Sequence, residues 1–151
     1  MKISYKGDYA LKTLLELAIN YNSGVLSIQE LAKKGDIPEK FLEQVLLNLK
    51  RGGFVNSKRG VYGGYLLAKP PQDITLGEVV RFVEGPIEPL TCVGKKKYPA
   101  CKDFSNCVLK EIWDQVYTAT SLVIDTLTFA ELVRRVKKIK DNVDSCYTYE
   151  I

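Results

Sequence analysis

Three cysteines, Cys92, Cys101 and Cys107, stand close together in a chain of 151 residues that contains no histidine. Without imidazole there are no Ser-His-Asp or Cys-His nucleophile arrangements and no histidine metal ligands, so thiolate is the soft donor that remains. The intervals of eight and then five residues contain no close pair of the zinc-finger kind and no Cys-x-x-Cys redox motif. Wide, irregular spacing in a loop suits a larger inorganic unit held by thiolates. Lys95, Lys96, Lys97 and Lys102 would favour thiolate and offset the charge of an iron–sulfur cluster. A thiol/disulfide sensor, a zinc site and inert cysteines are the other readings of this spacing. Cys146 lies apart, near the C-terminus.

A second group of residues suits a polyanion. Residues 1–70 hold 11 Lys/Arg against 6 Asp/Glu, whereas residues 71–151 hold 11 against 12. Lys50, Arg51, Lys58, Arg59 and Lys69 follow one another with no acid between them. Just before them, Glu39, Lys40, Glu43, Gln44 and Asn48 fall on the outward side of a helical pattern. Lys suits guanine or phosphate, Gln pairs bidentately with adenine, and Glu accepts from cytosine. Glu39 and Glu43 repel phosphate, so they make sense either as base readers or as solvated helix formers. Arg59, beside Gly60, is placed to enter a minor groove.

These side chains need elements to position them. Leu11, Leu14, Leu15 and Ala18 predict an amphipathic helix from Asp8, its N-cap, to about Asn20. Ser27-Ile28-Gln29-Glu30 is a capping box opening a short helix that stops at Gly35, a left-handed cap. Pro38 opens a third helix with Phe41, Leu42, Val45, Leu46 and Leu49 inward, ending at Gly52-Gly53. Short helix, tight turn and longer helix make a helix-turn-helix. Strand-like residues 54–57 and 64–68 around a basic, glycine-rich turn predict a hairpin wing.

Thr75-Leu76-Gly77-Glu78 caps a helix carrying Val79, Val80, Phe82 and Val83, which stops at Gly85-Pro86. A loop follows, holding the three cysteines. A long helix then runs from about residue 106 to 125, and a third capping box, Thr128-Phe129-Ala130-Glu131, restarts the chain as a last helix to about Lys140. The long helix bears Val108, Leu109, Ile112, Trp113, Val116, Tyr117, Leu122, Val123 and Ile124. That is more apolar surface than one small domain covers, and it points to a homodimer interface.

The fold expected is mainly α: a winged helix-turn-helix with a small β-hairpin wing and a long C-terminal dimerisation helix. Its parts are a DNA-binding domain (1–85), a cysteine-containing cluster-binding loop (86–107), the dimerisation and final helices (106–141) and a polar, frayed tail (142–151). With 46% apolar and 26% charged residues, the chain can bury a core and is not disordered. No apolar run approaches the roughly 20 residues of a membrane span, and the N-terminus carries no signal-peptide apolar region. A cytoplasmic protein without a membrane partner is expected. With no histidine, phosphate-cradling loop or paired-carboxylate pocket, no enzyme activity is expected.

Several stretches, taken in order, resemble the IscR/NsrR-type (Rrf-type) winged-helix transcriptional regulators. They are Lys6-Gly7-Asp8-Tyr9-Ala10-Leu11, Phe41-Leu42-Glu43-Gln44 with Leu49, Arg59-Gly60-Val61-Tyr62-Gly63-Gly64-Tyr65-Leu66-Leu67, Gly77-Glu78-Val79, and Leu127-Thr128-Phe129-Ala130-Glu131-Leu132. The three-cysteine loop fits as well, and the match spans residues 1 to about 135. The resemblance implies a homodimer on a palindromic double-stranded DNA operator, with recognition helices in the major groove and wings in the minor groove. It places Lys40, Phe41 and Gln44 at base-reading positions, Glu43 as a discriminator and Arg59 in the wing.

It also implies that Cys92, Cys101 and Cys107 hold an iron–sulfur cluster, a 4Fe-4S unit in preference to 2Fe-2S. Two departures stand out. The first interval is longer than the five residues typical of IscR and NsrR, and Lys110 occupies the position of the IscR histidine ligand. NsrR proteins take an aspartate from the other protomer's first helix, which here matches Asp8 of the partner subunit; a glutamate, Cys146 and an exogenous ligand are the alternatives for that position. The implied function is a regulator, a repressor rather than an activator, controlled by a cluster that senses iron or Fe–S status, oxygen or nitric oxide. A cluster-free, thiol- or partner-controlled repressor of sulfur metabolism is the alternative. An iron–sulfur electron-transfer protein, without operator affinity, is the alternative of another class.

Overall fold

In the computed structural model, which describes residues 2–147 and side chains as far as residue 142, helix α1 (Tyr5–Ile19) starts at Ser4 and not at Asp8. Ser4 Oγ accepts from Gly7 N at 3.2 Å, and Glu84 accepts from both Ser4 N (3.0 Å) and Ser4 Oγ (2.6 Å). A carboxylate above a helix N-terminus meets the positive end of the macrodipole, so Glu84 reinforces the cap that Asp8 was expected to provide. Gly7 makes room for it: a Cβ there would stand 2.0 Å from Glu84 Oε1.

The capping box at Ser27 and Glu30 forms in both directions and opens α2 (Ile28–Gly35). The left-handed residue that ends it is Asp36 (φ 50°), one position beyond the expected Gly35. Gly35 is needed for space, since a Cβ would meet the buried Ile37 at 2.8 Å. Pro38 is the N-cap of α3 (Glu39–Arg51). Leu42, Val45, Leu46 and Leu49 are buried, but Phe41, expected inward, is 62% exposed. The stripe at 42, 45, 46 and 49 leaves position 41 on its flank.

Strands β1 (Val55–Lys58) and β2 (Gly64–Leu67) pair antiparallel, from Val55 opposite Leu67 to Lys58 opposite Gly64. Leu26 extends this sheet by exchanging two backbone bonds with Tyr65, at 2.9 and 2.7 Å. The wing is thereby stitched to the residue just ahead of the α2 cap. Helix α4 (Leu76–Glu84) begins in its own capping box. It buries Val79 and Val80, while Phe82 is 40% exposed and stacks at a tilt on Phe54, centroids 5.3 Å apart.

Cys107 is the N-cap of α5 (Val108–Thr126), outside the helix it was expected to enter. Helix α6 (Phe129–Tyr147) runs well past Lys140 into the segment expected to fray, and the Cys146 side chain falls outside the described ones. The α5–α6 break is sewn to the strand-like residues before α4: Leu76 N donates to Leu127 O (2.8 Å) and Phe129 N to Ile74 O (3.0 Å). Thr128 Oγ1 accepts from Glu131 N, while the Glu131 carboxylate pairs with Arg134 and Arg135. Phe129 is fully buried in the same core as Leu14, Leu42, Leu46, Leu49, Val55 and Ile74. The architecture is mainly α, a winged helix-turn-helix followed by two long helices. Among the described residues, no helix is long and apolar enough to cross a membrane.

Candidate nucleic-acid interface and cysteine loop

The outer face of α3 carries Lys40, Gln44, Leu47, Asn48 and Arg51 along one stripe, with Phe41 and Glu43 beside it. All are exposed except Asn48, which is half-buried. Thirteen residues make a helix about 20 Å long, enough to lie across a major groove. Leu47, 44% exposed, is the residue that sequence reasoning passed over, because a leucine in an amphipathic pattern reads as core. Outward, it suits the methyl group of thymine.

Lys50 Nζ donates to Ser57 Oγ at 2.6 Å, tying the end of α3 to β1. Lys69 Nζ stands 6.0 Å from the centre of the Phe54 ring. Two of the five cations thus brace the unit internally as well as charging its surface. Lys58 and Arg59 are exposed at the wing.

Cys92, Cys101 and Cys107 are half-buried free thiols. Their loop is docked more firmly than its composition suggests. Val93, directly after Cys92, is 1% exposed. Gly94 N donates to Asp114 Oδ1 at 2.8 Å, and Asp114 also pairs with Lys110. Lys110 Nζ lies 4.9 Å from the centre of the Phe104 ring. One turn of α5 therefore holds the Cys92–Cys101 segment through Gly94 and the Cys101–Cys107 segment through Phe104. Lys110, and secondarily the Gly94 amide, hold the Asp114 carboxyl below the usual carboxylate range. Sequence reasoning missed Asp114 and Phe104. The one signal was the i,i+4 spacing of Lys110 and Asp114, which many solvated helices share.

The donor chemistry suits a thiophilic metal unit, but among the described residues the three thiols are not drawn, with or without carboxylates, into a group that could hold a metal ion. A further acceptor lies in the same loop, since Glu88 Oε2 is buried with no hydrogen-bond partner among the described residues. Asp8 is half-exposed and pairs with Lys12 at 2.7 Å, which raises the Lys12 pKa.

Along α5 only Ile124 is buried. Val108, Leu109, Ile112, Trp113, Val116, Leu122 and Val123 are all exposed in the single chain. Arg81 clamps the far end of α5 to α4 through both oxygens of Asp125, and it reaches Ser121 Oγ at 3.3 Å.

A helix-turn-helix with an outward polar stripe, braced to a basic hairpin, defines a winged-helix transcriptional regulator. The comparisons with known proteins narrow the class. The family model Rrf2, described as an iron-dependent transcriptional regulator, matches residues 3–135. An rrf2-like HTH-type transcriptional regulator of Rhodobacter capsulatus is 38% identical, over 87% of this chain and 91% of its own. The structure of CymR, the global cysteine regulator of B. subtilis, superposes with a TM-score of 0.75 at 36% identity, covering 89% of this chain and 98% of that one. T. potens IscR superposes with a TM-score of 0.74 at 29% identity, covering 92% and 90%. This chain belongs to the Rrf2 family of transcriptional regulators, and such proteins are regulators and not enzymes.

Proposed function

We propose that the protein acts in the cytoplasm as a homodimeric repressor on a palindromic operator, and that a thiolate-held iron–sulfur cluster controls its binding. The observation that carries this reading is the docking of the cysteine loop, through Gly94 and Phe104, onto the helix whose apolar face is uncovered. Cys92, Cys101 and Cys107 would hold the cluster. Asp8 of the partner subunit and Glu88 of the same chain are two carboxylates open to the remaining position. Bound there, the cluster would supply a charge that changes with iron supply or oxidant. The protein's part is to transmit loop order to α5 through Asp114 and Lys110, and so set the spacing of two recognition helices. Because both half-sites must engage about one helical turn apart, a small change in that spacing weakens binding steeply. Lys40, Phe41, Glu43, Gln44 and Asn48 would read bases, and Lys50, Arg51, Lys58 and Arg59 would meet the backbone and minor groove.

One observation favours a second reading: among the described residues of one chain, the three thiols do not gather as donors. The likeness to a cysteine regulator agrees with a cluster-free repressor of sulfur metabolism, controlled by thiol oxidation or by a partner protein. Anaerobic isolation and reconstitution with iron and sulfide, followed by absorbance and Mössbauer spectroscopy, separates the two. The cluster reading expects a coloured protein, loss of colour in the Cys92→Ala/Cys101→Ala/Cys107→Ala variant, and an altered spectrum in either Asp8→Ala or Glu88→Ala. A colourless reconstituted protein whose operator shift still responds to oxidant would replace it with the thiol reading.

A further inference from the structure

The two most exposed large hydrophobic side chains among the described residues are neighbours at the tip of the wing, Val61 at 96% and Tyr62 at 90%. Neither belongs to the hydrophobic clusters of the fold. The turn that carries them has a defined shape. Gly63 N donates to Gly60 O at 2.9 Å, which puts Val61 and Tyr62 at the two middle positions of a reverse turn. Gly60 takes φ +116°, a conformation L side chains rarely adopt, and a Cβ on Gly63 would lie 2.4 Å from Lys58 O. At the base, the Leu26–Tyr65 bonds hold the hairpin against the segment that leads into α2. The glycines thus specify a narrow projection with an apolar end.

Its surroundings are cationic. Lys58 and Arg59 immediately precede the tip, and no acid occurs between Lys50 and Lys69. An apolar point with a positive collar complements a groove that has phosphates along its rims and sugar rings along its walls. We propose that Val61 and Tyr62 are specificity-determining residues, seated with Arg59 against the deoxyribose walls of a duplex DNA minor groove. There they grip the narrow groove of A·T-rich sequence more tightly than the wider groove of G·C-rich sequence. The inference rests on the operator-binding reading above and adds to it the residues that sense groove width.

The test uses the full-length protein and duplexes that the wild-type chain selects from a random-sequence library. These are rebuilt with A·T or with G·C pairs at the wing-facing positions, and affinities are measured by fluorescence anisotropy. The Val61→Ser/Tyr62→Ser variant is expected to lose about tenfold on the A·T duplex and no more than about twofold on the G·C duplex. Its salt dependence should match wild type because no charge is removed, whereas Arg59→Ala should reduce the slope by about one. Unfolding temperature should not change, both side chains being exposed. Equal losses on the two duplexes, or no loss on either, overturn the groove-width role and leave operator binding intact. A library selection that enriches no sequence overturns both readings. Full operator affinity combined with an altered sedimentation coefficient would assign the tip to contact between protein copies and overturn the inference.

Discussion

Asp114 joins two parts of the molecule that lie far apart in sequence. Its carboxylate accepts from the Gly94 amide in the cysteine loop and pairs with Lys110 one turn earlier on α5. Because the native environment holds this carboxyl below its ordinary value, its stabilising contribution is complete above about pH 4 and is lost as pH falls through the lowered native value. Alkylation of Cys92 and Cys101 should therefore speed up as pH falls below about 4, once corrected for thiolate fraction, and Asp114→Asn should remove that pH dependence. At neutral pH the same substitution should raise the alkylation rate several-fold. An unchanged rate would mean that Val93 alone docks the loop. The expected N-cap at Asp8 failed for a related reason. Ser4 takes the cap because Glu84 is there to hold it, and nothing in the local sequence announces a partner eighty residues away.

At the scale of elements, capping chemistry was the most legible signal. The boxes at Ser27 and Thr75 are present in full because each is closed by residues three apart, whose geometry the helix itself supplies. Periodicity located α3 and its buried stripe, and the glycines located the hairpin. Leu26 was invisible as a strand-like residue, since pairing with Tyr65 is a long-range backbone event with no side-chain pattern. Phe129 is the element-scale test. It is fully buried where α6 enters the winged-helix core, so Phe129→Ala should cost about 3–5 kcal/mol by denaturant unfolding. A loss under about 1 kcal/mol would show that α6 docks without it.

At the scale of the whole molecule, the uncovered face of α5 dominates. Leu109, Ile112, Val116 and Val123 follow one another at helical spacing, each exposed in the single chain. In the proposed dimer this face is shared, and a charge placed in it must be desolvated or must separate the protomers. Ile112→Glu/Val116→Glu should sediment as a monomer and lose operator affinity by at least about a hundredfold, because each half-site then binds alone. A dimeric variant with intact affinity would move the interface elsewhere. The clamp from Arg81 to Asp125 holds the opposite end of α5, so the charged variant should keep its winged-helix fold by circular dichroism.

Local chemistry determined the parts of this protein: three caps, an outward polar stripe, a glycine-shaped basic wing, three closely spaced cysteines without histidine, and family membership from their order. Those are properties of residues a few positions apart, where helix and turn geometry fix the neighbours. Tertiary structure decided what the parts do to each other, from Glu84 over the first helix to Leu26 on the wing and Asp114 between loop and helix. It also turned Phe41 and Leu47 outward, because burial depends on which face a distant element covers, and that face is chosen only when the chain packs.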